Sequence, residues 1–243
     1  MAEARHSGTC GGAAPDALLV LLHALATLHD DQGNVAVKGL LRDPWDGTSY
    51  TEEEYRTLAA ILPGMPLIGT GSLGERLWSG PAITVVALDA PAVDTAALAL
   101  VPYARAKVNL RIHPKQDPKE AQDCLVEHLE AVKPFGVELT ITREDAGPGF
   151  AAATDGPAYQ AAKTALKAAW GNETVLAASG GSIPLVNGLS QAVPGAEILL
   201  FGAEDAACQL HGPNERVLVS ELRNAVIAEA GFFQEYAAAF KRG

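Results

Sequence analysis

Basic residues are scarce in this chain, and their scarcity excludes one class of function. The 243 residues include 18 Lys and Arg against 29 Asp and Glu, which gives a formal net charge of -11. Binding to nucleic acid without sequence preference depends on clustered Lys and Arg that neutralise phosphates. We therefore expect no nucleic-acid partner.

Long apolar runs and cysteines are scarce as well. The sequence has no run of about 18 apolar residues, the length that a membrane-spanning helix requires. Residues 1–15 lack the charged-then-apolar order of a secretory signal. The three cysteines, Cys10, Cys124 and Cys208, are odd in number and far apart, which favours reduced thiols over a disulfide framework. These absences favour a cytoplasmic protein that has no contact with a membrane.

The first part of the chain has the pattern of a split βαβ domain. Apolar residues make up 48% of the sequence, enough for a substantial core. Hydrophobic periodicity predicts a helix that ends at about His29, strands at Ala82–Leu88 and Tyr103–Ile112, a helix at Lys119–Val132 and a strand at Gly136–Thr142. This is the order of a ferredoxin-like domain without its first strand, which lies inside the sheet. A complete version of the domain requires a strand before His6.

The second part has an α/β pattern, and the stretch Ala146–Gly149 predicts the boundary between the two parts. A helix at 157–170 is followed by two units of strand, loop and helix, whose strands are predicted at 174–178 and 198–201. Ligands of open α/β sheets bind outside the carboxyl ends of the strands. The two loops that follow these strands are therefore predicted to form two walls of one site.

Five motifs occur in a fixed order along the chain. They are His-Ser-Gly-x-x-Gly-Gly at 6–12, Gly-Glu-Arg-Leu-Trp-Ser-Gly-Pro at 74–81, Leu-Arg-Ile-His-Pro at 110–114, Gly-Gly-Ser-Ile-Pro at 180–184 and His-Gly-Pro-Asn-Glu at 211–215. The set resembles the zinc metallopeptidase family of aminoacylase, carnosinase, carboxypeptidase G and succinyl-diaminopimelate desuccinylase, most closely its dipeptidase branch. The resemblance implies a zinc-dependent hydrolase of a dipeptide or related amide that forms a homodimer.

The resemblance also implies a domain organisation. Residues 1–148 correspond to the lid and dimerisation domain, with its first strand largely missing, and residues 149–243 to the C-terminal portion of the catalytic domain. The family segment that supplies most ligands of the two zinc ions, together with the general base, has no counterpart here. We therefore expect the chain to be truncated and inactive alone.

Two lid residues take roles from the resemblance. His6 corresponds to the catalytic histidine that reaches the scissile carbonyl of the other subunit's substrate, where a donor stabilises the developing oxyanion. Arg111 corresponds to the arginine that binds the substrate carboxylate, which a guanidinium can contact through two parallel hydrogen bonds.

The other carried-over residues lie in the two loops of the second part. Gly180, Gly181 and Ser182 correspond to the loop that receives the substrate carboxylate, where backbone N–H groups at a helix start favour an anion. His211 corresponds to the last zinc ligand of the family, but one imidazole alone does not hold a metal ion.

Two other functions remain open from the residues. The same features fit a non-catalytic dimerisation or ligand-binding module derived from the family. The glycines of 69–74 loosely resemble a nucleotide loop, although the chain has no Walker lysine and no dinucleotide fingerprint.

Overall fold

The fold of this chain is mixed α/β, as predicted. A computed structural model describes residues 1–178, 184–205, 207–210 and 212–240. The chain forms two compact units, one of Met1–Asp46 with Pro66–Gly149 and the other of Gly47–Met65 with Phe150–Gly243. The division into a lid domain and a catalytic portion is a functional assignment and stays a prediction.

The structure contains the predicted helices and the two strands predicted between 82 and 112, whereas three other predicted strands do not form. In chain order they are β1 (Arg5–His6), α1 (Ser7–Cys10), α2 (Ala17–Ala26), α3 (Glu52–Leu58), a π-helical turn (Glu75–Ser79), β2 (Ala82–Asp89), a 3₁₀ turn (Val93–Thr95), β3 (Ala99–Leu100), β4 (Arg105–Arg111), α4 (Pro118–Val132), a 3₁₀ turn (Pro134–Gly136), α5 (Pro157–Trp170), α6 (Pro184–Ala192) and α7 (Val219–Phe240). No helix among the described residues is both long and apolar enough to cross a membrane.

The first unit is built on an antiparallel pair of strands, β2 and β4. Their register runs from Asp89 opposite Arg105 to Ala82 opposite Arg111, with an irregularity between Val85 and Ala87. The side chains of β4 alternate between exposed and half-buried, so one face of the pair is free to pack. Helices α2 and α4 supply apolar side chains to a core around Leu28, Val37 and Ile83.

The two longer helices of the first unit, α2 and α4, each begin at an aspartate cap. The Asp16 carboxylate accepts a hydrogen bond from the Leu19 N–H at the start of α2. The Asp117 carboxylate accepts bonds from the Lys119 and Glu120 N–H groups at the start of α4, where Pro118 occupies the first turn. Each cap satisfies backbone donors that have no partner inside the helix.

The prediction of a strand at 136–142 is wrong, because this segment joins neither sheet of the described residues. All seven residues are described, and their side chains alternate in burial from Val137 to Thr142, yet none pairs with a strand. The alternation shows only that one side of the segment is covered, whereas a strand also needs a neighbour for its N–H and C=O groups. The pattern therefore predicted the burial correctly and the pairing incorrectly.

The second unit is dominated by the packing of α5 against α7. Helix α5 buries Ala158, Ala161 and Ala165, which recur at helical spacing, and α7 buries Ala228. Small side chains at this spacing let two helices approach closely. In the short helix α3, Thr51 and Glu54 form the predicted capping box.

The predicted strands at 174–178 and 198–201 are also absent, although the structure describes both segments fully. Within the described residues neither segment has a partner strand, so the backbone pairing that defines a strand cannot form. Leu199 and Phe201 instead line a small apolar pocket with α5 and α7. The prediction of strands from these two apolar runs is therefore wrong, and Val175, Leu200 and Phe201 remain more than half exposed.

A carboxylate from a distant segment caps α5. The two oxygens of Glu197 accept hydrogen bonds from the N–H groups of Ala158 and Tyr159, each at 3.0 Å. The Tyr159 hydroxyl donates in turn to the carbonyl of Ile198 at 2.9 Å. A negative charge at a helix N-terminus is favourable because the helix dipole is positive there.

We predict that Glu197→Ala lowers the free energy of unfolding of the second unit by about 1 kcal/mol, because two helix N–H groups lose their acceptor. It should also lower the pKa of the Tyr159 phenol, which burial and then the Glu197 charge raise. Chemical denaturation and phenol titration measure the two effects. Glu229→Ala, at an exposed position of α7, is the control and should change neither. Unchanged values in Glu197→Ala contradict the cap.

Candidate functional site

His6 lies at the junction of β1 and α1, with its side chain exposed. Its Nδ1 accepts a hydrogen bond from the Gly8 N–H at 3.1 Å. A ring nitrogen that accepts carries no proton, so in the neutral ring the proton is on Nε2. The ring therefore presents a donor to solvent, as the predicted oxyanion role requires.

Hydrogen bonds of Ser7 and Asp16 anchor the turn that carries His6. The Ser7 N–H and hydroxyl both donate to the Leu98 carbonyl, at 2.9 and 2.8 Å. Asp16 joins the same two stretches of chain, because its carboxylate accepts from the Val101 N–H at 2.7 Å while it caps α2. These contacts fix the backbone that follows His6, and the pairing of Arg5 with Leu100 fixes the residue before it, although the His6 ring is exposed.

Two of the three glycines in the His-Ser-Gly-x-x-Gly-Gly motif, Gly8 and Gly11, make close contacts. A Cβ on Gly8 would lie 3.0 Å from Cε1 of His6, and a Cβ on Gly11 would lie 2.4 Å from the Ser7 carbonyl oxygen. The second distance is far below van der Waals contact. The motif therefore encodes a tight turn in which the Gly8 backbone N–H binds Nδ1 of the His6 ring.

We predict that neutral His6 has its proton on Nε2 and that Gly11→Ala removes this preference, because the turn must open to admit the methyl group. Two-bond ¹H–¹⁵N correlation spectra of the ring distinguish the two tautomers. His29→Gln, at a histidine outside the turn, serves to assign the spectrum. A wild-type ring protonated on Nδ1 would refute the arrangement.

Arg111 is the last residue of β4 and lies opposite Ala82 in the register. Its side chain belongs to the exposed series of β4, and the guanidinium has no ion pair or hydrogen bond to the part of the chain that the structure describes. Its neighbours in that series differ, since Arg105 pairs with Asp89 and Lys107 with Glu144. A guanidinium without a protein carboxylate is available to an external one.

Sequence reasoning missed the residues that surround the end of β4. His113 is 4% exposed, and its Nε2 lies 3.4 Å from Oδ2 of Asp43. Ser79 and Gln116 are buried at the same end of the β2–β4 pair. The Leu-Arg-Ile-His-Pro motif contained His113, but no sequence signal linked it to Asp43.

The four other predicted site residues, Gly180, Gly181, Ser182 and His211, lie outside the described residues. Helix α6 begins at Pro184, immediately after the predicted carboxylate loop. Across the described part of the chain, no three or more His, Cys, Asp and Glu side chains form a group able to hold a metal ion. The described residues therefore do not include a complete set of zinc ligands. His6 and Arg111 form no hydrogen bond or ion pair with each other.

The glycine loop at 69–74 is closed by the chain itself. The Gly69 N–H donates to the Gln32 carbonyl, the Thr70 N–H to the Asn34 side chain and the Ser72 N–H to the Glu75 carboxylate. Hydrogen bonds from Ser72, chiefly from its N–H, hold the pKa of Glu75 below its usual range. A carbonyl, an amide oxygen and an ionised carboxylate already accept from three N–H groups that a phosphate would need, which disfavours the nucleotide alternative.

Comparison with known proteins decides the family. Residues 2–137, more than half of the chain, match the family described as "Peptidase dimerisation domain". The chain belongs to the M20 peptidase family. Membership confirms the resemblance drawn from the five motifs, and both His6 and Arg111 lie within the matched range.

Similar M20 proteins include dipeptidases and a carboxypeptidase. The chain is 34% identical to the cysteinylglycine-S-conjugate dipeptidase of Corynebacterium striatum over 235 residues, 95% of this chain and 52% of that protein. A di-peptidase of Saccharomyces cerevisiae superposes with a TM-score of 0.78 at 19% identity, covering 98% and 52% of the two chains. An M20 family metallo-carboxypeptidase of Sulfolobus solfataricus gives 0.72 at 19% identity, covering 96% and 55%.

The chain thus spans about half the length of the relatives it matches. The two structural matches show a shared M20 fold, and the curated relative is a hydrolase that acts on dipeptides. The roles of individual residues stay predictions, because no comparison assigns them.

Proposed function

We propose that this chain supplies the lid and the C-terminal catalytic portion of an M20 dipeptidase that requires zinc. The observation that carries the proposal is Arg111, an exposed guanidinium at the end of a paired strand, inside the matched dimerisation domain. Its chemistry fits the C-terminal carboxylate that every dipeptide has. The similarity to the Corynebacterium striatum dipeptidase supports the same class of substrate.

His6 acts on the carbonyl of the scissile amide in this proposal. With Nδ1 bound to the Gly8 N–H, its Nε2–H points away from the turn and can donate to an oxygen that gains negative charge. The lid histidine serves the site of a dimer partner, so the homodimer is part of the proposed mechanism. Arg111 orients the substrate through its carboxylate.

The loop residues complete the proposed substrate and metal sites. Gly180, Gly181 and Ser182 receive the substrate carboxylate at the start of α6, and His211 contributes one imidazole to zinc. When bound, zinc polarises the carbonyl and activates water. Because one imidazole is far from a full ligand set, we propose that the 243-residue chain alone does not hydrolyse dipeptides.

The second unit has an apolar surface that fits this incomplete state. Among its exposed side chains are Val219, Leu185 and Phe233, at 83%, 69% and 61% exposure. Exposed apolar patches mark surfaces that pack against further polypeptide. The rest of an M20 catalytic domain is the polypeptide that this proposal requires.

Complementation tests the proposal. The partner is the part of the Corynebacterium striatum dipeptidase that this chain does not match, here called the complementing polypeptide. We expect dipeptide hydrolysis with zinc from the mixture and none from either component. A mixture that stays inactive although the components bind each other contradicts the proposal.

A second candidate function is a non-catalytic dimerisation or ligand-binding module. The match to a dimerisation domain favours it, as does the lack of a three-donor group among the described residues. The module predicts carboxylate binding through Arg111 without turnover in any mixture. In either case we keep the cytoplasm as the proposed compartment, since Cys10, Cys124 and Cys208 are all free thiols.

We predict a homodimer that forms through β2, an edge strand with exposed Val85, Val86 and Leu88. Edge strands of this kind associate through their unpaired backbone groups. Leu88→Lys should weaken the dimer at least about tenfold, because it places a charge at the interface. Sedimentation equilibrium measures the constant. Val93→Lys, at an exposed position outside the strand, is the control, and equal effects of both changes would exclude β2 as the interface.

A further inference from the structure

The buried polar side chains of the described residues gather at one end of the β2–β4 pair. They are Ser79, His113 and Gln116, at 5%, 4% and 6% exposure. Ser79 precedes β2, whereas His113 and Gln116 follow β4. Buried polar groups are costly unless they are hydrogen-bonded, so such a cluster indicates a specific set of contacts.

Asp43 joins the two sides of this sheet end. Its N–H donates to the Ser79 carbonyl at 2.9 Å, and the Ser79 hydroxyl donates to the Asp43 carbonyl at 2.6 Å. Its carboxylate faces the His113 ring at 3.4 Å. The last pair of the register, Ala82 and Arg111, lies between Ser79 and His113 in the chain. Asp43 therefore connects Ser79, three residues before β2, with His113, two residues after β4.

A hydrogen bond to Nδ1 fixes the tautomer of the neutral His113 ring. Its Nδ1 accepts from the Lys115 N–H at 3.1 Å, so in the neutral ring the proton is on Nε2, the nitrogen that lies 3.4 Å from Oδ2 of Asp43. The Lys115 ammonium also faces Asp43, at 3.8 Å. The Asp43 carboxylate thus lies 3.4 Å from the Nε2 of a buried ring and 3.8 Å from a solvent-exposed cation.

The Gln116 side chain binds the backbone of Gly39 and Leu41, just before Asp43 in the chain. Its Oε1 accepts from the Leu41 N–H at 3.0 Å, and its Nε2 donates to the Gly39 carbonyl at 2.8 Å. Together with the contacts of Asp43, these bonds fix residues 39–43 across the end of β4. Removing one partner leaves a buried group unsatisfied, so the arrangement resists deformation.

We infer that the contact between Asp43 and His113 positions Arg111 for the substrate carboxylate. Arg111 has no protein partner among the described residues, so the direction of its long side chain depends on the backbone from which it starts. The Asp43–His113 contact fixes that backbone two residues beyond Arg111. Bidentate recognition of a carboxylate loses strength with small errors of placement. His113 is a positioning residue and does not touch substrate; this inference rests on the proposed function.

Two substitutions separate the contacts of His113. His113→Asn keeps an acceptor oxygen at the place of Nδ1, which accepts from the Lys115 N–H, but it removes the Nε2–H group near Asp43. His113→Gln retains an N–H donor near the place of Nε2. Val126→Ala, in the buried face of α4, is a control that lowers stability without altering the sheet end.

The experiment uses the 243-residue chain and glycyl-alanine, with glycyl-alaninamide as the probe that lacks a carboxylate. NMR titration gives the dissociation constant, and hydrogen exchange of the Arg111 amide reports the state of the strand end. We expect His113→Asn to weaken glycyl-alanine binding about fivefold to tenfold and to speed that exchange. His113→Gln and Val126→Ala should stay within about twofold of wild type in affinity.

The outcomes distinguish this inference from the proposed function. If wild type does not prefer glycyl-alanine over its amide, or if Arg111→Lys binds as tightly as wild type, the proposed role of Arg111 fails and the inference falls with it. If both of those tests succeed but His113→Asn binds like wild type, only the positioning role is overturned. Equal weakening by His113→Asn and Val126→Ala also overturns it, because it shows a general effect of stability.

Discussion

Replacing His6 with Ala should lower kcat of the complemented dipeptidase by roughly 10²- to 10³-fold, with little change in KM. The expected size is that of one donor to an oxyanion in other hydrolases. The physical reason is the Nε2–H that the Gly8 contact leaves free to donate. An interaction made only with the developing charge affects the transition state more than bound substrate, so the loss appears in kcat.

Steady-state kinetics of a dipeptide with zinc in excess measure the effect. His29→Ala is the matched control, because it removes an imidazole from the same unit outside the His6 turn. A rise in KM with an unchanged kcat would instead assign His6 to ground-state binding. Equal decreases in both variants would mean that neither imidazole has a specific role.

The second large effect is expected at Arg111. Arg111→Lys should lower kcat/KM for dipeptides by about 10- to 100-fold, because a lysine ammonium cannot form two parallel bonds to a carboxylate. The loss should nearly disappear for dipeptide amides, which lack the carboxylate. This dependence on the substrate distinguishes recognition of the carboxylate from a general disturbance of β4.

Arg105→Lys is the control for the second prediction. Arg105 lies on the same exposed face at the other end of β4 and pairs with Asp89. An exposed ion pair of this kind contributes little, so the change should leave kcat/KM near the wild-type value. Equal losses for a dipeptide and its amide in Arg111→Lys would contradict the proposed role.

Much of the fold could be predicted from the sequence, because the local signals agree with the structure. The helix with Pro157 in its first turn ends at Trp170, as its alanine-rich periodicity predicts, and the capping box at Thr51 forms as its spacing predicts. The polar and apolar alternation of Arg105–Arg111 correctly predicted a half-buried strand. Caps and periodicities are encoded within a few residues, so sequence alone carries them.

The remaining features depend on residues that are far apart in the chain. Alternation at 136–142 predicted a strand, but a ladder also requires a partner. The same limit applies to the segments 174–178 and 198–201. For the site, the motifs proposed His6 and Arg111 as candidates, and their roles stay predictions. The contact of Asp43 with His113 had no local signal, since it forms only when the sheet end closes.

The most direct test of the central claim is the zinc content of the purified 243-residue chain after exhaustive dialysis, measured together with dipeptide hydrolysis after zinc is added back. We expect no retained zinc and no turnover, because His211 alone does not make a site. About two retained ions with turnover would contradict this expectation, since the chain would then contain a complete zinc site of its own.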